Sequence, residues 1–236
     1  MVSLASISDA VNVWKYENSS LSLTSSFTMT TGRCACLAWN HTNQVVATGG
    51  SSHQIHLLQA SNGNLLSSLQ VSQEGDTMAK LNAVAMSSNS RFLAAALANH
   101  VQIWDLKRRQ IKTILSDHVQ DISSVCFLPT GEVVSGDNGG TVRIWDSQAY
   151  LSSPEMTIPS GTLSIAGVTS LSVSPAAGRS LAVGYTDGTL GVWDSVSYQL
   201  VRRQVCHSGS LNSLAYSPRN PRLVTTAGSD GRVTLI

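Results

Sequence analysis

Hydrophobic and polar residues alternate along this chain in short runs with a two-residue period, the pattern of half-buried β-strands. Five runs, at 34–41, 81–88, 122–129, 168–175 and 211–218, carry the pattern over eight residues each. Each is followed by a shorter apolar run, at 45–48, 92–97, 133–135, 181–184 and 223–227. A third series ends in tryptophan: Val11-Asn12-Val13-Trp14, Val101-Gln102-Ile103-Trp104-Asp105, Val142-Arg143-Ile144-Trp145-Asp146 and Leu190-Gly191-Val192-Trp193-Asp194. Stretches such as 110–115 and 198–205 supply a fourth strand. Thr186-Asp187-Gly188 and Ser229-Asp230-Gly231 place turn residues between second and third strands and predict tight hairpins there. The chain is therefore expected to be all-β and built from four-stranded units.

Two degenerate copies extend the third series, with Leu58 and Ile236 at the tryptophan position. Successive spacings are then 44, 46, 41, 48 and 43 residues. A period of roughly 40–45 residues with four strands per unit is that of WD40 β-propellers, and the chain resembles the WD-repeat family along its whole length. The resemblance implies one propeller over 1–236, with blades at about 1–32 (partial), 33–69, 80–115, 121–158, 167–205 and 210–236 (partial). The first segment is expected to supply only two inner strands, ending near Tyr16. Ile236 falls inside the third strand of the last repeat, so the chain is expected to be truncated at its C-terminus. About five and a half of an expected seven blades are present.

In this family a buried Trp is served by a His, a Ser or Thr and an Asp of the same blade. Those residue types suit the task, because an indole N–H needs an acceptor that a hydroxyl and an imidazole can relay. The carry-over is incomplete. The blade at 121–158 has His118, Ser135 and Trp145 but Gly139 at the Asp position; the next keeps Asp187 and Trp193 with Val183 for the hydroxyl; the last has His207, Thr226 and Asp230 but Ile236 for the Trp. Around Trp104, Ala94 and Ala98 hold the hydroxyl and Asp positions. No blade is expected to hold a full set, and Trp14, Trp104, Trp145 and Trp193 are expected to act mainly through buried area. Asp105, Asp146 and Asp194 complete the Trp-Asp pairs.

Two stretches narrow the resemblance. Ala38-Trp39-Asn40-His41-Thr42-Asn43-Gln44-Val45-Val46-Ala47-Thr48-Gly49, followed by Ile55-His56-Leu57-Leu58, is similar to the early blades of the GCP-WD (NEDD) family of gamma-tubulin-complex-targeting WD-repeat proteins. Val101–Lys112, leading to Asp117-His118, resembles that family's basic turn and following His, and Cys206-His207-Ser208 with Leu214–Pro218 is compatible with a later blade. The resemblance implies a non-catalytic scaffold in the cytoplasm and cytoskeleton, at centrosome or spindle. Its partners there are centrosomal or spindle scaffold proteins. The resemblance further implies that the gamma-tubulin ring complex, which nucleates microtubules, would be held through a C-terminal helical region outside this sequence. The alternative is an unassigned WD40 adaptor, such as a ubiquitin-ligase substrate receptor.

Composition constrains the partner. Of 236 residues 42% are hydrophobic and 12% charged, and 15 Lys and Arg against 14 Asp and Glu leave a net charge of +1. Such a balance argues against nucleic acid or an anionic membrane as the main partner. Lys107, Arg108, Arg109 and Lys112 form the densest charge and offer either a solvated turn or a docking contact for an acidic surface. Arg33, Asp117, Gln120, Ser208, His53, Asn99, Asn138, Asp187 and Asp230 are expected along one rim, where propellers bind peptides. No G-x-S-x-G, phosphate loop or H-E-x-x-H is present. His53-x-x-His56 lacks a third ligand at metal spacing. Cys34-x-Cys36 is expected to point both thiols to one face as small core residues. No enzyme activity and no cofactor are expected.

Overall fold

The computed structural model describes residues 2–7, 10–28, 33–71, 80–146, 148, 156, 166–175 and 179–236. They divide into two compact units, 1–98 with 102–113, and 99–101 with 114–236. Every sheet is antiparallel, and no helix among the described residues is long and apolar enough to cross a membrane.

The first unit holds two whole sheets and most of a third. β1 (Val2–Ile7), β2 (Ala10–Glu17) and β3 (Ser20–Thr28) form one; β4 (Cys34–Trp39), β5 (Val45–Gly50), β6 (Gln54–Gln59) and β7 (Leu65–Gln70) form the next; β8 (Leu81–Met86), β9 (Phe92–Leu97), β10 (His100–Asp105) and β11 (Gln110–Leu115) form the third. The second unit holds β12 (Ile122–Phe127), β13 (Val133–Asp137) and β14 (Val142–Trp145), then β15 (Val168–Val173), β16 (Ser180–Tyr185), β17 (Thr189–Asp194) and β18 (Leu200–Val205), then β19 (Leu211–Tyr216), β20 (Val224–Gly228) and β21 (Val233–Leu235). Met156 bridges to Val142 at the edge of β14. These are the sheets of propeller blades.

Within each unit the first strands of neighbouring sheets face one another: β4 against β8, β12 against β15, and β15 against β19. Hydroxyls tie them. Ser123 Oγ donates to Val168 O and Thr169 Oγ1 to Leu211 O, the same link one sheet further on. In the third sheet burial peaks on the middle strands and falls at the outer one. Every residue of β10 is buried and β9 is buried from Leu93 to Leu97, whereas β11 alternates between exposed and covered positions. Within the second unit β16 lies between two neighbouring sheets, with Leu181 and Val183 in one interface and Ala182 in the other, which is why it reads as a continuous apolar run rather than an alternation. Ala47, Ile55, Leu57, Leu69, Leu81, Leu93, Leu97 and Trp104 fill one such interface, and Leu128, Val134, Leu181, Val183, Tyr185 and Trp193 another. Each fully buried aliphatic side chain contributes about 1.5–3 kcal/mol.

The structure departs from the sequence expectation at three places. First, residues 2–28 supply three strands rather than two, because β3 is Ser- and Thr-rich and mostly exposed, and so lacks the apolar alternation. Second, the first strands stop after six residues. Asn40 Oδ1 accepts the Gln44 and Val45 N–H groups at 2.9 Å each, and Ser87 Oγ accepts that of Phe92 at 2.9 Å. These side chains therefore close the turn before the apolar pattern ends.

Third, Cys34 and Cys36 do not share a face. A β-bulge between them shifts the register against β5, so Cys36 joins the core facing β8 while Cys34 packs with Leu37, Val11 and Val13. The same slip recurs at the start of β8, β12, β15 and β19. One extra residue reverses the alternation, which is what a bulge does.

Candidate interaction surfaces

The residues around Trp145 form a closed network. Its indole N–H donates to Ser135 Oγ at 2.8 Å, Ser135 Oγ meets His118 Nε2 at 2.7 Å, and His118 Nδ1 meets Asp137 Oδ2 at 2.7 Å. A carboxylate only accepts, so the proton lies on Nδ1; Nε2 then accepts the serine O–H, and the serine oxygen is left for the indole. All four side chains are buried. This overturns the expected incomplete set. Gly139 does stand at the family's Asp position, but Asp137 supplies the carboxylate from two residues earlier. Its Oδ1 also accepts the Gly139 N–H at 3.0 Å and the Thr141 N–H at 2.9 Å. The fixed spacing of the family pattern hid Asp137; the signal was a carboxylate two residues beyond Ser135 in the blade that lacked one.

The last sheet uses the family's own position. His207 Nδ1 lies 3.0 Å from Asp230 Oδ1, and His207 Nε2 lies 2.9 Å from Thr226 Oγ1. Burial opposes ionisation of Asp230, but donation from the Arg232 and Ser208 N–H groups and from His207 outweighs it and holds the carboxyl below its usual range. Asp187 caps its turn by accepting the Thr189 N–H at 2.9 Å and lies 3.9 Å from Arg203. In that turn Gly188 has φ +80°, and a Cβ there would sit 2.2 Å from His207 O.

Trp104 finds its acceptor on its own strand. With alanines at its hydroxyl and Asp positions, its N–H donates instead to Gln102 Oε1 at 3.2 Å. Gln102 lies two residues back on β10 and so leaves the strand on the same face. Gly191 holds that place before Trp193, whose indole packs in the same buried cluster as Tyr185. Burial pushes the Tyr185 hydroxyl far above its ordinary value. Trp14 is half-buried in β2.

The Asp after Trp104, Trp193 and Trp145 caps the turn that follows it. Asp105 Oδ1 accepts the Lys107 and Arg108 N–H groups at 3.0 and 3.1 Å; Asp194 Oδ1 accepts those of Val196 and Ser197 at 2.9 and 2.8 Å; Asp146 Oδ1 accepts that of Gln148 at 2.8 Å. The Arg108 N–H is the main reason that Asp105 ionises more readily than usual, and the Ser197 N–H does the same for Asp194. Lys107, Arg108 and Arg109 are exposed on the turn so formed, with Arg109 at φ +55°. Lys112 does not project freely: its Nζ lies 4.7 Å from the centre of the Phe92 ring. Arg91, which the sequence reading passed over, lies 5.0 Å from the same ring and 3.3 Å from Asp105.

The expected rim is gathered only in part. Asp117, Gln120 and Asn138 line one cavity of about 420 Å³ with Val119, which is 83% exposed. Ser208 N–H reaches Asp230 at 3.2 Å, Asn99 Nδ2 donates to His118 O at 3.2 Å, and the Arg33 N–H donates to Ser51 Oγ at 2.8 Å. His56 is buried beside Ser68, Nδ1 to Oγ 3.0 Å. Among the described residues no group of three or more His, Cys, Asp or Glu could hold a metal ion.

Residues 109–146, 158–194 and 198–236 match the WD40 family, described as WD domain, G-beta repeat. These segments are WD40 repeats. The first and last WD40 repeats each contain the outer strand of one sheet and the three inner strands of the next, 109–146 running from β11 through β14 and 198–236 from β18 through β21. The chain is 24% identical to autophagy-related protein 16 of Arabidopsis thaliana over 84% of its length, and to 37% of that protein. It is 22% identical to protein tipD of Dictyostelium discoideum over 85% of its length, and to 31% of that protein. It is 30% identical to a guanine nucleotide-binding protein subunit beta of Oryza sativa subsp. japonica over 64% of its length, and to 42% of that protein. The chain thus spans less than half the length of each of these relatives.

Proposed function

We propose that this WD40-repeat chain is a non-catalytic protein-interaction scaffold, and more narrowly the targeting part of a factor that recruits the gamma-tubulin ring complex to centrosome or spindle. The observation that carries the scaffold reading is the set of WD40 repeats whose polar side chains are spent on capping turns and holding tryptophans, around a surface that presents a basic turn and a small rim cavity. The narrower reading is supported by the similarity of 38–49 to the early blades, and of 101–112 to the basic turn, of gamma-tubulin-targeting proteins. A second reading, an adaptor in another pathway, is favoured by the extended similarity to autophagy-related protein 16 and to G-protein beta subunits.

Imaging of the fluorescently tagged chain through mitosis, with its cross-linked partners identified, separates them. Enrichment at spindle poles or along spindle microtubules, with spindle proteins among the partners, is the expected result. Diffuse signal from a folded chain, with partners outside the spindle, overturns the narrower reading and leaves the adaptor.

A further inference from the structure

Charged residues are sparse in this chain, yet residues 91–112 hold five of its fifteen Lys and Arg and one of its fourteen acids. A segment of +4 therefore lies within a chain of +1. The fold gathers it. The Leu106 N–H donates to Arg91 O at 2.9 Å, which sets the start of β9 beside the turn that joins β10 to β11. Asp105, with a side chain only 5% exposed, sits beneath that turn and is occupied by Arg91 and by the Lys107 and Arg108 N–H groups. Arg91 and Lys112 stand at the Phe92 ring, where cation–π attraction orients both. Lys107, Arg108 and Arg109 project from a turn whose backbone is already fixed. A partner meeting this patch would not have to order the turn's backbone, and that lowers the entropic cost of binding.

We propose that this patch, Arg91, Lys107, Arg108, Arg109 and Lys112, docks a short protein segment rich in carboxylates. The inference rests on the scaffold reading and narrows it to one surface. The size of the patch selects the partner. Outside 91–112 the chain carries a net −3, so a long polyanion such as a nucleic acid duplex, or the plane of an anionic membrane, would meet repulsion beyond the patch. A short acidic segment meets only the cations. These are distributed over two hairpin ends, which suits several successive Asp or Glu side chains.

The test is fluorescence anisotropy of the whole chain with a labelled deca-glutamate peptide. Binding is expected to weaken about tenfold between low and moderately high salt, because exposed charges are screened. It is expected to weaken at least about tenfold in K107Q/R108Q/R109N, where Asn tolerates the left-handed turn position, and to stay unchanged in R202Q/R203Q, a second exposed basic pair. Circular dichroism checks the fold, and the single variant Lys107→Glu gives the same reading should the triple variant not fold. Undiminished binding by the charge-removed variants, or no binding of the wild type, overturns the inference. So does tighter binding of a phosphoserine peptide, a DNA duplex or phosphatidylserine vesicles than of deca-glutamate. If the triple variant keeps every cross-linked partner of the wild type, this surface falls and the scaffold reading stands; a wild type without partners removes the scaffold reading itself.

Discussion

Trp104 and Trp145 hold the same place in successive sheets, 5% and 2% exposed, and their N–H groups find acceptors by different routes. Trp145 belongs to a four-residue chain that joins β14, β13 and the segment before β12, so its indole, Ser135, His118 and Asp137 restrain one another. Trp104 uses Gln102 on its own strand, which restrains nothing beyond β10. Gln102 is fully buried, and its amide nitrogen has no hydrogen-bond partner among the described residues. The indole N–H can thus be satisfied locally or by a network, and only the network couples strands. Removing one member of a network leaves the others buried and unpaired.

The largest effect should come from the area that both tryptophans share. Trp104→Ala is expected to cost about 3–5 kcal/mol in urea denaturation through the cavity it leaves; a loss below about 1 kcal/mol would mean that the neighbouring sheets collapse onto the site.

Ser135→Ala should come next, at about 3 kcal/mol, because it strands both the Trp145 N–H and His118 Nε2 in a buried site. Gln102→Leu, the matching change in the other sheet, should cost less, since it unpairs only the indole and removes an amide nitrogen that had no partner.

The displaced carboxylate gives a sharper test. In Gly139→Asp a Cβ would meet Gln120 Cγ at 3.0 Å and Asp137 Oδ1 at 3.3 Å, and two carboxylates would crowd one turn. This variant should lose about 1–2 kcal/mol. The swap D137G/G139D restores the family arrangement and should recover most of that loss. Additive losses in the double-mutant cycle would show that Asp137 does not act in place of the residue at 139.

Trp104→Phe should cost about 1–2 kcal/mol by unpairing Gln102 Oε1, and Q102L/W104F should recover it. Equal stability of the single and double variants would mean that the Gln102 bond contributes nothing.

The smallest effect concerns pH. Burial holds His56 below its ordinary 6.5, so as the pH falls the unfolded chain takes up the proton first. Its contribution is complete above about 6.5 and lost as the pH falls below it. His56→Gln should flatten the pH dependence of stability over that window, and an unchanged profile would count against burial as the cause.

Much of the fold was legible because tryptophan spacing and alternation are set by blade geometry. β9 and β11 lie where the pattern predicts them, and β10 starts one residue earlier, at His100. What failed did so for specific reasons. β3 is solvated and carries no apolar code. Asp137 acts from a position that a fixed motif does not inspect. Arg91 is fourteen residues from Asp105 in sequence and reaches it only because β9 and β10 pair. Cys34 and Cys36 were misassigned because alternation cannot reveal an inserted residue.

That inserted residue also separates the two thiols of β4. With the two thiols on opposite faces of β4, oxidation cannot join them within the strand. Burial pushes Cys36 and Cys126 up to about 12 and raises Cys206 as well, so these sulfurs stay protonated and react slowly with oxidants. Peroxide or a disulfide exchanger should therefore find little nucleophilic sulfur at these three positions, and the packing around them should not depend on whether the surroundings are reducing.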